Sequence, residues 1–426
     1  MKILVFGDEL VMGGCQINAI ELGAALRDLF GFEVVYFATP GPLLPLLRQK
    51  RLRFIPAPLA RTHPSVSRFR ALVRVIQTEK PDVVHAWEWG QCIDAFYGAA
   101  LTLGVPVVLT HMSMDLVRVL PRSPITTFGT PALRDDAMST GRQAVEVLVP
   151  PVDTVLNAPE AAHGEAFRKL HGIAAGELVL VTVSRLHRLL KSESLFASIE
   201  TVRTIGHELP LRLVIVGDGD LRPQLEHAAA EANEDLGRDA VTLTGEMIDP
   251  RCAYAAADIV VGMGGSALRG MAFAKPTIIM GEDGFAKLFA PETAEWFWQH
   301  GMYGRGETSG SGLPDIIAAL ARNRAGFAEL GAFSREFVVQ NFSLQSVSAR
   351  LSEICWEAVL QRPSLTTRLM DATRTGMLLV VEGKLIPYWS LRRAYHDLGG
   401  PPVLPWIRAI RKLFRDSVVR LLRGWS

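Results

Sequence analysis

The residues of this chain that could do chemistry gather at a few strand ends. The densest group is 258–280, DIVVGMGGSALRGMAFAKPTIIM. Gly262, Gly264 and Gly265 let the backbone turn sharply and leave no side chain in a ligand's way. Ser266 is placed to cap the short helix behind them. Such a turn aims unsatisfied N–H groups and the positive end of a helix dipole at whatever sits above the strand, and a phosphate suits it. A tight turn without a ligand accounts for the same letters. In VTVSRLHRLLKSES (181–194), Arg185 and Lys191 leave a strand and enter a helix. Two cations at such a rim suit a diphosphate, Arg by bidentate contact and Lys as a point charge. Arg188 beside them reads as solvated surface charge. His85 and His111 each end an apolar strand. A lone histidine is usually a satisfied core or rim residue, but His111 follows VPVVLT and falls at the expected ligand rim. VIVGDGDLRPQL (214–225) has strand, Gly-Asp-Gly and helix without the third glycine of a dinucleotide fingerprint, so it argues only weakly for NAD.

The elements that must hold these residues follow from periodicity. Ile3 to Phe6 is a strand opening into GDELVMGGCQ, with Gly13 and Gly14 ending the loop and a helical pattern over 16–29. Strands follow at 33–37, 53–56, 82–85 and 107–110, with helices at 41–50 and 66–79. This alternation predicts a parallel, doubly wound α/β domain with ligands beyond the carboxyl ends of its strands. The Gly13-Gly14 loop, Trp87-Glu88 and His111 then share one rim. At PPVDTVLNAPEAAHG (150–164) the pattern breaks into a linker. It restarts with strand 178–183, helix 191–204, strand 212–216, helix 221–232, strand 241–244 and the 258–280 unit, in which Lys275-Pro276 stops the helix before strand 277–280. The expected organisation is therefore residues 1–160 and 161–345 as two domains of similar kind facing a cleft, with 346–426 as a C-terminal helical extension.

Composition limits the partners. At 426 residues the chain exceeds one core, so two domains are expected. An apolar fraction of 49% with 21% charged residues is that of a soluble globular protein, and a net charge of +1 gives no support for a nucleic-acid partner. Cys15, Cys92, Cys252 and Cys355 lie far apart without metal-ligand spacing and read as reduced thiols of a cytoplasmic protein. Asp8 and Glu9 interrupt the N-terminus before a signal-peptide core could form, and no uncharged apolar run reaches transmembrane length.

Read together, the motifs resemble those of the GT-B glycosyltransferases, in particular the retaining group that uses nucleotide-diphosphate sugars. The resemblance runs through the Gly13-Gly14 loop, KPDVVHAWEW at 80–89, VPVVLTH at 105–111 and PPVDT at 150–154. It continues in order through SRL-x4-K at 184–191, VGDG at 216–219 and MAFAKP at 271–276, and NFSLQSVSARLSEIC (341–355) resembles the helix that ends the second domain. It implies two Rossmann-like domains, an acceptor side then a donor side, and a hexosyltransferase-type enzyme. The donor would be a nucleotide-diphosphate sugar, no cofactor or metal would be needed, and the acceptor is left open as a sugar, lipid or small molecule. Gly13 and Gly14 would let their loop approach the donor diphosphate, and His111 would lie beside the transferred sugar. Arg185 and Lys191 would neutralise the leaving diphosphate in place of a metal ion, and amides around Gly264, Gly265 and Ser266 would bind phosphate. Asp218 and Asp220, spaced like a metal-binding pair, are assigned by the resemblance to a structural turn.

Two features depart from the family pattern. Its pair of glutamates, with seven residues between them, is replaced here by Val261 and Arg269, so the usual donor-ribose carboxylate is missing. Arg185 and Lys191 also stand one residue further apart than is commonest. Arg269 could reach the donor phosphates or pair with Glu282, and Glu282 itself could supply a carboxylate, although a solvated acidic loop explains it more simply. An epimerase of the same fold and a catalytically silent sugar-nucleotide-binding subunit are the alternatives. Beyond the family motifs, LPWIRAIRKLFRDSVVRLLRGW (404–425) sets eight apolar residues from Trp406 to Trp425 at helical spacing among six cations and one acid. Such a helix suits a peripheral contact with an anionic membrane face, or packing on the protein's own surface.

Overall fold

A computed structural model describes residues 1–60, 62–306 and 312–382; the amphipathic stretch 404–425 lies outside them. By compactness the chain falls into two units. Among the described residues, one takes 1–129, 133–148 and 348–382, and the other takes 130–132 and the rest of 149–347.

The first unit holds strands β1 (Lys2–Phe6), β2 (Glu33–Ala38), β3 (Arg53–Pro56), β4 (Val83–Trp87), β5 (Val107–His111), β6 (Ile125–Phe128) and β7 (Val145–Val147). They form one parallel sheet in the order β3-β2-β1-β4-β5-β6-β7. Helices α1 (Gly14–Phe30), α2 (Leu44–Gln49), α3 (Val66–Glu79), α4 (Trp89–Ala95) and α5 (Pro131–Ser139) lie between the strands, and α4 runs on as a π-helical segment, Phe96–Leu103. Ile3, Leu4, Val5 and Phe6 are all essentially inaccessible. Their unbroken apolar run is what a strand covered on both faces requires. The periodicity reading has no counterpart for β6, α5 and β7, because strands of four and three residues containing Thr and Glu show no usable period.

The second unit begins with α6 (Gly164–Leu170) and alternates β8 (Leu178–Val183), α7 (Arg188–Ile205), β9 (Leu211–Val216), α8 (Arg222–Leu236), β10 (Val241–Gly245), α9 (Arg251–Ala256), β11 (Ile259–Gly262), α10 (Gly265–Ala272) and β12 (Thr277–Met280). The sheet order is β10-β9-β8-β11-β12-β13, with the edge strand β13 (Ala286–Leu288) antiparallel to β12. Helices α11 (Pro291–His300), α12 (Leu313–Arg322) and α13 (Phe327–Phe342) follow. Both sheets reverse strand order beside their first strand, the arrangement in which ligands sit past the carboxyl ends.

Two expectations change. The motif 341–355 does not end the second unit as one helix. It contains the break between α13 and α14 (Leu344–Leu360), and the chain is counted with the first unit from Ser348. The described part of the expected C-terminal extension is also packed into the first unit. Its last helix, α15 (Leu365–Val381), offers Asp371 Oδ2 to the amides of Arg122 and Ser123 at 2.7 Å each, and its Ala372 carbonyl accepts Tyr97 Oη at 2.8 Å. Among the described residues no helix is long and apolar enough to cross a membrane.

Candidate functional site

In the second unit the glycine turn and the basic loop meet. Lys191, Gly262 and Ser266 line one narrow pocket with Thr182, Ser184 and Ser194. It lies at the carboxyl ends of β8 and β11, where the alternation of the sequence placed it. No carboxylate lines it. Burial, and then the nearby Arg185 charge, push the Lys191 ammonium down to about 8. Arg185 is exposed at the loop between β8 and α7. That loop is held from beneath by the VGDG turn: a Cβ on Gly217 or Gly219 would meet the carbonyl of Ser184 or Leu186, and Leu186 N–H donates to the Asp218 carbonyl at 2.9 Å. Asp218 pairs with Arg222 at 2.7 Å and Asp220 with Arg188 at 3.7 Å, so both aspartates serve the turn and Arg188 is surface charge.

The start of α10 departs from expectation in detail. Gly264, not Ser266, is the N-cap, with φ 55° and ψ −132°, a conformation open in practice only to glycine. Ser266 sits inside the first turn, where its Oγ donates to the Met263 carbonyl at 3.1 Å and accepts from the Met263 amide at 3.3 Å. The Gly264 amide is taken by the Met302 carbonyl at 2.7 Å. The next amides, Gly265, Ser266 and Ala267, have no acceptor within the helix. Gly270 lies flat on β11, where a Cβ would come within 2.6 Å of Val260.

Arg269 and Glu282 do not pair. Arg269 Nη1 folds back onto the Gly265 carbonyl at 3.3 Å. Glu282 accepts from Tyr303 Oη and from Arg305 Nη2, the latter at 2.5 Å, and these two groups hold its carboxyl below the usual range. Glu193, two residues past Lys191, accepts the amides of Asp283 and Gly284 at 2.8 and 2.5 Å and so ties the loop after β12 to α7. Sequence reasoning had no signal for Glu193, Tyr303 or Arg305 in these roles.

In the first unit His111 ends β5 and is buried. Its Nδ1 lies 3.4 Å from Glu88 Oε2, too poorly placed for a hydrogen bond, and neither ring nitrogen has a hydrogen-bond partner. Glu88 is held at φ 66° just before α4 and accepts Cys15 Sγ at 2.8 Å. Burial pushes the Glu88 carboxyl up, but the His111 ring and the Cys15 thiol outweigh it and hold it below the usual range. Burial and Glu88 push the Cys15 thiol up, so it stays protonated. Gly13 is the extended N-cap of α1. Gly14 begins the helix, and a Cβ added there would meet no atom within 4 Å. Nothing in the protein itself requires glycine at 14. His85 is a core residue: its Nε2 lies 2.7 Å from Thr110 Oγ1, and burial pushes it down to about 3. The buried Asp94, facing His63 Nδ1 at 2.9 Å and accepting the Ser65 amide at 2.7 Å, is a further ordered group that the sequence did not mark.

Residues 12–156 match Glycosyltransferase Family 4 and residues 177–301 match Glycosyl transferases group 1, which between them take in well over half of the chain. A search of curated proteins finds no match. Among solved structures, the fold is similar to a glycosyltransferase from Rickettsia africae ESF-5, with TM-score 0.70 and 16% identity over 85% of this chain and 99% of that one. It is similar to Anabaena HepE in complex with UDP, with TM-score 0.64 and 18% identity over 84% of this chain and 100% of that one. The catalytic domain of starch synthase IV from Arabidopsis thaliana, bound to ADP and acarbose, has TM-score 0.58 and 12% identity over 84% and 99% of the two chains.

Proposed function

Since the chain belongs to the GT-B glycosyltransferases of the group 1 kind, we propose that it moves a hexosyl group from a nucleotide-diphosphate sugar to a hydroxyl acceptor, with retention and without a metal or other cofactor. The observation that carries the donor assignment is Lys191. Its half-buried side chain lines a pocket without a carboxylate, together with Ser266 of the first turn of α10 and near the Arg185 charge. A cation drawn partly out of water without a counter-ion is costly, and a diphosphate supplies one. As the glycosyl bond breaks, charge grows on the leaving diphosphate, and these fixed donors stabilise it most at that moment. The UDP bound by Anabaena HepE supports a nucleotide diphosphate as the leaving group. On the other unit, the open space at Gly14 would suit a phosphate, and the His111 ring, in contact with Glu88 but making no hydrogen bond, would suit a sugar hydroxyl.

Arg269 favours a second reading, a subunit that binds the sugar nucleotide without turning it over. A mass-spectrometric screen of pooled nucleotide sugars and hydroxyl acceptors, with and without EDTA, separates the readings. Turnover unaffected by EDTA, giving a product of unchanged anomeric configuration, is expected. Binding without turnover would establish the silent subunit, an epimerised donor would establish the epimerase, and rescue by magnesium or manganese would end the metal-free assignment. We place the protein in the cytoplasm, with residues 404–425 touching an anionic membrane face. A chain ending at Leu398 should lose binding to anionic vesicles at low salt. Full-length protein that ignores such vesicles would exclude that contact.

A further inference from the structure

Between β3 and α3 of the first unit stands a histidine that the donor assignment does not use. His63 Nδ1 lies 2.9 Å from Oδ2 of Asp94, a residue of α4 with no exposed surface. Asp94 Oδ1 accepts the Ser65 amide at 2.7 Å, so both carboxylate oxygens hold the same loop. The His63 ring stands edge-on to Trp89, with centroids 5.2 Å apart. It also rests on Gly90, where a Cβ would come within 2.5 Å of Nε2. Any side chain at 90 would displace the ring.

The ring's hydrogen follows from its partner. A carboxylate only accepts, so the neutral ring carries its hydrogen on Nδ1 and keeps a lone pair on Nε2. Among the described residues Nε2 has no hydrogen-bond partner, and it is not closed off from solvent, the side chain being 12% exposed. A second open acceptor lies nearby. Asp8, two residues past β1, is 41% exposed. Its Oδ1 accepts Gln91 Nε2 at 2.5 Å and stands 3.9 Å from Arg68 Nη2, and neither contact uses Oδ2. Gly90 and Gln91 are consecutive, so the start of α4 carries the His63 ring on one residue and Asp8 on the next. Both follow the carboxyl ends of β1 and β4, the neighbouring strands at which the order of the sheet reverses and ligands sit.

We propose that His63 Nε2 and Asp8 Oδ2 hold two hydroxyls of a sugar acceptor, and that Asp94 positions His63 for that contact. The proposal rests on the transferase reading and deepens its acceptor side. Both open atoms accept, so the ligand must donate at two points, as the hydroxyls of a sugar ring do. No bond is made or broken there and no proton is transferred.

The test is a long-range proton–nitrogen NMR spectrum of the histidine rings of the full-length protein, at about pH 8, where an ordinary histidine is neutral. His63 is assigned by its loss in His63→Gln. The expected spectrum shows its hydrogen on Nδ1. Titration with the methyl α-glycosides of glucose, galactose and mannose should then shift Nε2 saturably with at least one of them. In Asp94→Asn the Ser65 amide still requires an oxygen, so the new NH2 group faces His63. The ring hydrogen then moves to Nε2 and the glycoside shift is lost, whereas a merely structural Asp94 would leave the hydrogen where it was. Asp8→Asn should weaken glycoside binding about tenfold. A hydrogen on Nε2 in the wild type, no Nε2 shift with any of the glycosides, a shift that survives Asp94→Asn, or unchanged binding in Asp8→Asn would overturn the proposal. Glycoside binding is read here without turnover. Its failure is therefore distinct from failure of the donor assignment, which titration of the same protein with UDP reads.

Discussion

Lys191 combines burial with a cationic neighbour, and both make its charge expensive until an anion arrives. With the ammonium pushed down to about 8, its charge is present below that pH and lost above it. A bound diphosphate favours the charged form, so donor affinity should be constant at neutral pH and fall by about tenfold or more as pH rises two units past 8. Lys191→Arg should abolish that alkaline limb, because guanidinium keeps its proton; an unchanged limb would show that another group titrates. Arg185→Ala or Lys191→Ala should lower kcat/KM by about 100-fold or more, the cost of removing one preorganised contact to developing charge. Thermal midpoints should move little beside this loss of rate.

At the scale of elements, two glycines at helix starts separate a structural need from a ligand's. Gly264 caps α10 at φ 55° and ψ −132°, so Gly264→Ala should cost about 1–3 kcal/mol of stability. Gly14 begins α1 in ordinary geometry with open space around its Cα. Gly14→Ala should therefore leave the unfolding midpoint unchanged or slightly raised, while a methyl where the donor approaches raises its KM about tenfold or more. Thermal melts beside donor titrations read both. A Gly14→Ala enzyme with native KM would remove the donor from that helix start. The loop after β12 shows the same division of labour, since Glu193 accepts its Asp283 and Gly284 amides and both Tyr303 and Arg305 donate to Glu282 Oε2.

For the whole molecule, α15 is tied to the first unit by polar as well as apolar contacts. Asp371 alone accepts two amides of the 118–124 loop. Removing it in Asp371→Ala leaves those donors buried and unpaired, at about 1–3 kcal/mol each. The urea midpoint of the first unit should fall accordingly, with donor affinity at the second unit's pocket unchanged. Equal loss of donor binding would mean that the two units do not respond separately.

Most of the strands and helices, the GG, SRL-x4-K, VGDG and MAFAKP motifs, and the boundaries at Pro56, Glu79 and Met280 were legible in the letters. Periodicity, glycine turns and proline stops are local signals that act within a few residues. The basic loop and the glycine turn could also be assigned to neighbouring strand ends, because parallel α/β alternation places all such loops at one rim. What only the tertiary structure decided was who bonds whom across long stretches of chain. Glu282 lies 21 and 23 residues from Tyr303 and Arg305, and Glu88 lies 73 from Cys15. The return of α15 to the first unit joins residues about 250 apart. Hydrogen-bond partners at such separations are chosen by sheet order and by the cost of leaving a buried polar group unpaired, and neither is written in a local pattern.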